Sequence, residues 1–179
     1  MKLSSSNLTK IALCAGITAL LAWLIIPLPF SPVPLSGQTI GVMISGIVLP
    51  PGYAALSQIV YILLGIFGLP VFSGGTSGLG TLVGPTGGYI WGFVVGAYTI
   101  SALVRYKGSK STLGYVVTLT IGGVGVIYIT GLAQLMNVTK MSFHQALLSG
   151  MLPFLLGDFF KVALVSSVAK RLKGIGDST

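Results

Sequence analysis

Two ionisable residues stand in a setting where ionisable residues are expensive. Asp158 and Lys161 occur three apart in the otherwise apolar stretch LGDFFKVALV, so on a helix both project from one face and can meet. On insertion scales such a group costs roughly 2.5–3.5 kcal/mol at the centre of a span, and it nearly always faces the bundle interior. Two readings fit: a polar anchor for a ligand, or a self-satisfied ion pair that locks the last helix against its neighbours. The ligand reading restricts the guest. Within the apolar spans there is no other acid, and no other base beyond Lys10 at an edge. Inorganic ions and multiply charged substrates are therefore poor candidates. A mostly apolar molecule with a few hydrogen-bonding groups suits such a wall.

The second chemical feature is the glycine-dense run FSGGTSGLGTLVGPTGGYIWGF over 72–93. Glycine lets backbone approach a ligand or another backbone closely, so the loop containing Gly75, Thr76 and Ser77 is a ligand-contacting candidate. From about Pro85 the run becomes a helix on which Gly88, Gly92 and Gly96 share one face. Nucleotide motifs fail here. No lysine lies between Lys10 and Lys107, and Gly78-Leu79-Gly80 is followed three residues later by Val83, so neither phosphate fingerprint is complete. Any energy for transport would have to come from a partner or an ion gradient.

Ser36, Gln38 and Thr39 close an earlier loop in PVPLSGQTIGV. Their side chains can donate and accept, as a lid over a polar group requires; Ser36 also suits the N-cap of the following helix. Tyr89 and Trp91 open a helix at an interface, where aromatic belts form, and Trp91 fits a belt better than a ligand stack. Catalysis has little to work with. His144 is the single histidine, no Gly-x-Ser-x-Gly elbow occurs, and the chain has two acids in all, one of them Asp177 near its end. Cys14 is alone, which excludes a disulfide framework and a cysteine metal site.

These groups must be positioned by helices in lipid. Of 179 residues 53% are hydrophobic and 7% charged, whereas soluble domains carry about 25% charged residues. A spanning helix needs about 20 apolar residues, and stretches 11–26, 88–104, 113–135 and 146–169 qualify. Stretches 39–49 and 53–67, divided by Pro50-Pro51-Gly52, are two short spans or a re-entrant hairpin. The first segment is expected to stay, because no small-residue cleavage site follows it and Cys14 opens rather than closes its apolar run. The expected fold class is an all-α integral membrane protein, one domain over 1–179, with a bundle of six transmembrane helices. Lys2, Lys10, Arg105, Lys107, Lys110, Lys170, Arg171 and Lys173 fall on one side if both termini are cytoplasmic, leaving Lys140 outside, as the positive-inside rule requires. That places loops 27–37 and 69–85 together on the outer face, over an outward-facing pocket. The net charge of +8 serves orientation and does not argue for nucleic acid.

Three stretches resemble the BioY family, the biotin-specific substrate-binding (S) components of energy-coupling factor transporters: PVPLSGQTIGV at 32–42, GLPVFSGGTSGLGTLVGPTGGYIWGF at 68–93, and PFLLGDFFKVAL at 153–164. The GPTGGY core, which holds Thr86 and Tyr89, is a specific signal when joined to an Asp-x-x-Lys in the last helix. The resemblance implies a multi-pass protein of the prokaryotic cell membrane that binds biotin on its outer side and is not an enzyme. It implies partnership with a transmembrane coupling subunit and two cytoplasmic ATPases, docked through an alanine-x-x-x-alanine surface that Ala15 and Ala19 match. It also implies ligand contacts from Asp158 and Lys161, with Thr76 and Ser77 nearest to a further polar contact. Gln38, Gly75, Thr86 and Tyr89 complete the expected substrate-binding set. No metal or cofactor is expected.

Overall fold

The computed structural model describes residues 4–106 and 111–177, and helices dominate it. Chain order is α1 (Ser5–Leu21), a two-residue ribbon of β1 (Ile25–Ile26) and β2 (Leu35–Ser36), α2 (Gln38–Val48), α3 (Pro51–Ile66), α4 (Leu79–Val83), α5 (Gly87–Tyr106), α6 (Thr112–Leu119), α7 (Val126–Thr139), α8 (Phe143–Gly150) and α9 (Leu155–Asp177). Among the described residues three helical stretches are long and apolar enough to cross a bilayer: Gly87–Tyr106, Thr112–Thr139 and Phe143–Gly176. The shorter apolar helices are Ser5–Leu21, Gln38–Val48 and Pro51–Ile66. At 1.5 Å per residue α2 is only about 17 Å long, well short of a hydrocarbon core of about 30 Å.

Local chemistry sets the breaks. Pro50 and Pro51 end one helix and start the next, with Pro51 at the first helical position, where its missing N–H costs nothing. The last stretch is not the single helix that apolar length suggests. Met151 leaves helical geometry and Leu152–Phe154 form a 3-10 turn, because Pro153 cannot donate into the ladder. Between α6 and α7, Thr120–Gly125 winds as a π-helix, a device that shifts register inside an otherwise continuous span.

The core is apolar, with Ile47, Leu49, Ile100 and Leu119 fully buried, but unlike that of a soluble protein the outside is apolar too. Thr18, Gln38, Ser45, Ser57, Gln58, Ser101 and Asp158 are buried, while Leu13, Leu20, Val95, Ile129, Phe159, Phe160 and Leu164 are exposed. Helices α5 and α7 approach most closely along the expected glycine face. A Cβ on Gly88 would stand 2.6 Å from Cβ of Gln134, and one on Gly96 2.7 Å from the carbonyl of Gly122. Close backbone approach of this kind drives helix association where lipid offers no hydrophobic force.

Helix ends gather at two poles. At one, Lys10 donates to the carbonyls of Ile175 and Gly176 at 3.2 and 3.0 Å. Gly176 lies against the carbonyl of Val48, which also accepts from Arg105 at 3.3 Å. The start of α1 and the ends of α2, α5 and α9 therefore converge. Of the residues in the charge argument, Lys2, Lys107 and Lys110 lie outside the described residues. At the other pole Gly37 N–H donates to Leu24 O at 2.9 Å and Gly74 N–H to Ala22 O at 3.3 Å. There the end of α1 meets the start of α2 and the turn that follows α3, and the functional cavity opens.

Candidate functional site

A cavity of about 470 Å³ lies at the second pole. Asp158 and Lys161 are both in its wall. Their i, i+3 spacing on α9 brings Lys161 Nζ to 3.0 Å from Asp158 Oδ1, so the ion pair forms within one helix turn. Asp158 is 6% exposed and the Lys161 side chain 13%. The second carboxylate oxygen, Oδ2, accepts from the hydroxyl of Tyr128 on α7. An ionised carboxylate has about four acceptor positions on its two oxygens, so capacity remains for a guest. The bond from Tyr128 joins α9 to α7 while the ion pair faces a void, so the two readings of the sequence are compatible in one arrangement.

Tyr128 was not among the expected residues. It lines the cavity and packs edge-on against Tyr89, with ring centroids 6.2 Å apart. Tyr89 lines it too, and its hydroxyl donates to the carbonyl of Gly150 at 2.9 Å. One signal was available: a tyrosine at the middle of an apolar span carries a hydroxyl that must find a partner. Nothing in the sequence pointed to Asp158 as that partner.

Both irregular loops roof the cavity, as their shared side predicts. Pro32 to Ser36 contribute from the first and Ser73, Thr76, Gly80, Thr81 and Gly84 from the second. Gln134 on α7 clamps the second loop, donating to the carbonyls of Leu82 and Gly84 at 2.8 Å each. Gln38 and Thr86 are in the wall. Ser36 is not the N-cap of α2; Gly37 holds that position without a side-chain bond. Ser36 Oγ instead donates to Gln38 Oε1 at 2.8 Å, and Gln38 Nε2 donates to Tyr61 on α3. The serine orients the glutamine, and the amide ties the cavity to the core.

Other expected positions fall elsewhere. Gly75 and Ser77 are not in the cavity wall. Gly75 has φ +75° and its open side faces Trp23, 3.0 Å from where a Cβ would sit. Ser77 is exposed, its carbonyl accepting from Thr81. Ala15 is 1% exposed and packs inside the chain's own core, while Ala19 is half-buried against the same cluster. A side chain enclosed by its own bundle offers no area to a partner. The small residues open on the outside of α1 are Ala12, which is exposed, and Gly16, beside which a Cβ would meet nothing within 4 Å. Trp91 is exposed away from the cavity, in keeping with a belt role.

The chain matches the model of the BioY family over residues 1–177. It is 35% identical over 167 residues to the biotin transporter BioY of Thermotoga maritima, covering 93% of this chain and 95% of the relative. Against the biotin transporter BioY of Rhizobium etli it is 35% identical over 181 residues, covering 97% and 96%. Among solved structures it resembles the S-component for biotin from an ECF-type ABC transporter. That match has a TM-score of 0.88 and 26% identity, and covers 97% of this chain and 95% of the other.

Proposed function

We infer, for a chain that belongs to the BioY family, that the cavity captures biotin for uptake, the chain acting as the membrane-embedded substrate-specificity subunit of an ECF-type transporter. It is a multi-pass membrane protein and a binding subunit, not an enzyme. The observation that carries the reading is the Tyr128–Asp158–Lys161 network in the wall of a cavity large enough for a small vitamin. Biotin's fused rings are largely apolar, and its ureido group presents two N–H donors and a carbonyl. Asp158 accepts from the ureido N–H groups at its remaining positions, and Lys161 donates to the ligand while neutralising the buried carboxylate. Gln38, Thr86 and Tyr89 shape the wall beside it. Thr76 contributes from the roof, with Gly75 and Ser77 supporting the loop that carries it.

In this reading residues 1–179 form one domain of six membrane passages with both termini cytoplasmic, in the cytoplasmic membrane of a prokaryote. The pole where Lys10, Arg105 and the end of α9 converge supports that orientation, since basic residues collect on the cytoplasmic side. A transmembrane coupling subunit docks on α1, through the open face of Ala12 and Gly16 bordered by Ala19, and two ATPase subunits supply the energy.

Titrating purified protein with biotin and dethiobiotin tests the substrate. Biotin is expected to bind tightly and raise the melting temperature in detergent, with dethiobiotin weaker. Absence of any biotin-dependent shift would refute the assignment. Asp158→Asn should weaken biotin binding by roughly 1.5–3 kcal/mol, the scale of a hydrogen bond to a charged group.

A further inference from the structure

Two residues of the cavity wall carry side-chain oxygens that are shielded from water and have no partner, so each must turn about χ1 to meet a ligand in the cavity. Thr39 Oγ1 and Ser73 Oγ are buried, and neither has a hydrogen-bond partner among the described residues. Both residues line the cavity that holds Asp158 and Lys161. Buried hydroxyls are otherwise nearly always bonded, so each exception calls for an explanation. Neighbouring hydroxyls in the wall have no such surplus. Ser36 Oγ donates to Gln38, Thr76 Oγ1 to the carbonyl of Ser73, and Thr81 Oγ1 to the carbonyl of Ser77.

The fold gathers the two orphans in one corner. Gly37 and Gly74 donate to Leu24 and Ala22, two residues apart on the strap that leaves α1. That strap ties the start of α2, which carries Thr39, to the 3-10 turn that carries Ser73. Its Ser73 side lies away from the charged pair, while Thr39 opens α2, which packs on both α3 and α9. Asp158 and Lys161 belong to α9 beside Tyr128 of α7, whereas Ser73 follows α3, whose helix neighbours are α1, α2 and α5.

We propose that Thr39 and Ser73 form a second polar station, donating their hydroxyl protons to the ligand's carboxylate while Asp158 and Lys161 hold its ring end. The proposal rests on the biotin reading and deepens it. A carboxylate only accepts hydrogen bonds, and a hydroxyl not yet committed can turn its single proton toward it. Lys161 is the cation among the lining residues, and its ammonium is already on Asp158 at 3.0 Å. One N–H of that ammonium is so engaged, and the two hydroxyls add neutral donors for the anion; O–H···O⁻ bonds are roughly twice as strong as those between neutral groups. The site thereby distinguishes a free acid from its amide or ester without adding a second buried charge.

The test compares biotin with biotinamide, which keeps the rings and chain but carries no charge. Wild-type protein is expected to prefer biotin by about tenfold or more. Thr39→Val/Ser73→Ala is expected to lower biotin affinity by about tenfold and leave biotinamide within about twofold, so the preference disappears. Ser73→Ala alone, in the turn outside the helical core, should fall between. An equal loss for both ligands, or a preference retained in the double variant, overturns the proposal. Failure of the wild type to bind biotin at all would instead overturn the substrate reading.

Discussion

Among the described residues, two of the buried groups of polar side chains are completed in different ways. One lies between α1, α2 and α3, away from the cavity. Gln58 is fully buried, and the two N–H protons of its Nε2 are shared among three acceptors, Ser45 Oγ at 2.9 Å, Ser57 Oγ at 3.2 Å and Thr18 Oγ1 at 3.3 Å. Each hydroxyl already gives its proton to a carbonyl about one turn earlier: Ser45 to Gly41, Thr18 to Cys14 and Ser57 to Ala54. They can only accept, so the amide nitrogen must face them. The other group, Asp158 with Lys161 and Tyr128, uses both carboxylate oxygens yet borders open space. The contrast separates fastening from binding. Gln58 Oε1 is also an orphan, but Gln58 does not line this cavity, so an unpaired atom by itself does not mark a ligand position.

Breaking the cavity group should cost most. Lys161→Met leaves the Asp158 carboxylate buried and uncompensated, and removing one partner of such a pair typically costs about 3 kcal/mol or more. A marked fall in melting temperature is expected in detergent. Adding Asp158→Asn should restore most of that stability, since an amide needs no counter-charge, while biotin binding remains weaker than in the wild type. If the double variant were as unstable as the single, the pair would not be the source of the loss.

A smaller effect is expected at the hydroxyl that steadies the carboxylate. Tyr128→Phe keeps the ring and its edge-on contact with Tyr89 but removes the bond to Asp158, so biotin affinity should drop about five- to tenfold, or about 1–1.4 kcal/mol. Calorimetry would read it, and unchanged affinity would show that Asp158 needs no such support. The smallest effect belongs to the sealed group. Gln58→Leu removes donor and orphaned acceptor together at similar volume, an exchange that is often nearly neutral. Biotin affinity should stay within about twofold and stability within about 1 kcal/mol. A large loss of affinity there would erase the distinction between the two groups.

Some of this was legible before any coordinates. The apolar stretches became helices, the Pro50-Pro51-Gly52 break separated α2 from α3, and the spacing of Asp158 and Lys161 placed them in contact. Each depends on residues within a turn or two of one another, or on a composition that only lipid can accommodate. The two loops expected to share a face do meet over one cavity.

Other features depended on which distant residues are neighbours. Tyr128 reaches Asp158 across 30 positions and Gln38 reaches Tyr61 across 23. Ala15 and Gly16 are adjacent in sequence, yet one is enclosed by the bundle and the other is open. A helix turns by about 100° per residue, so its exposed side depends on packing against other helices, and a small-xxx-small pattern alone does not specify it. The same holds for Thr39 and Ser73. Sequence established that hydroxyls stand near the loops, but only the packed structure decided which of them were left without a partner beside a space that a ligand can enter.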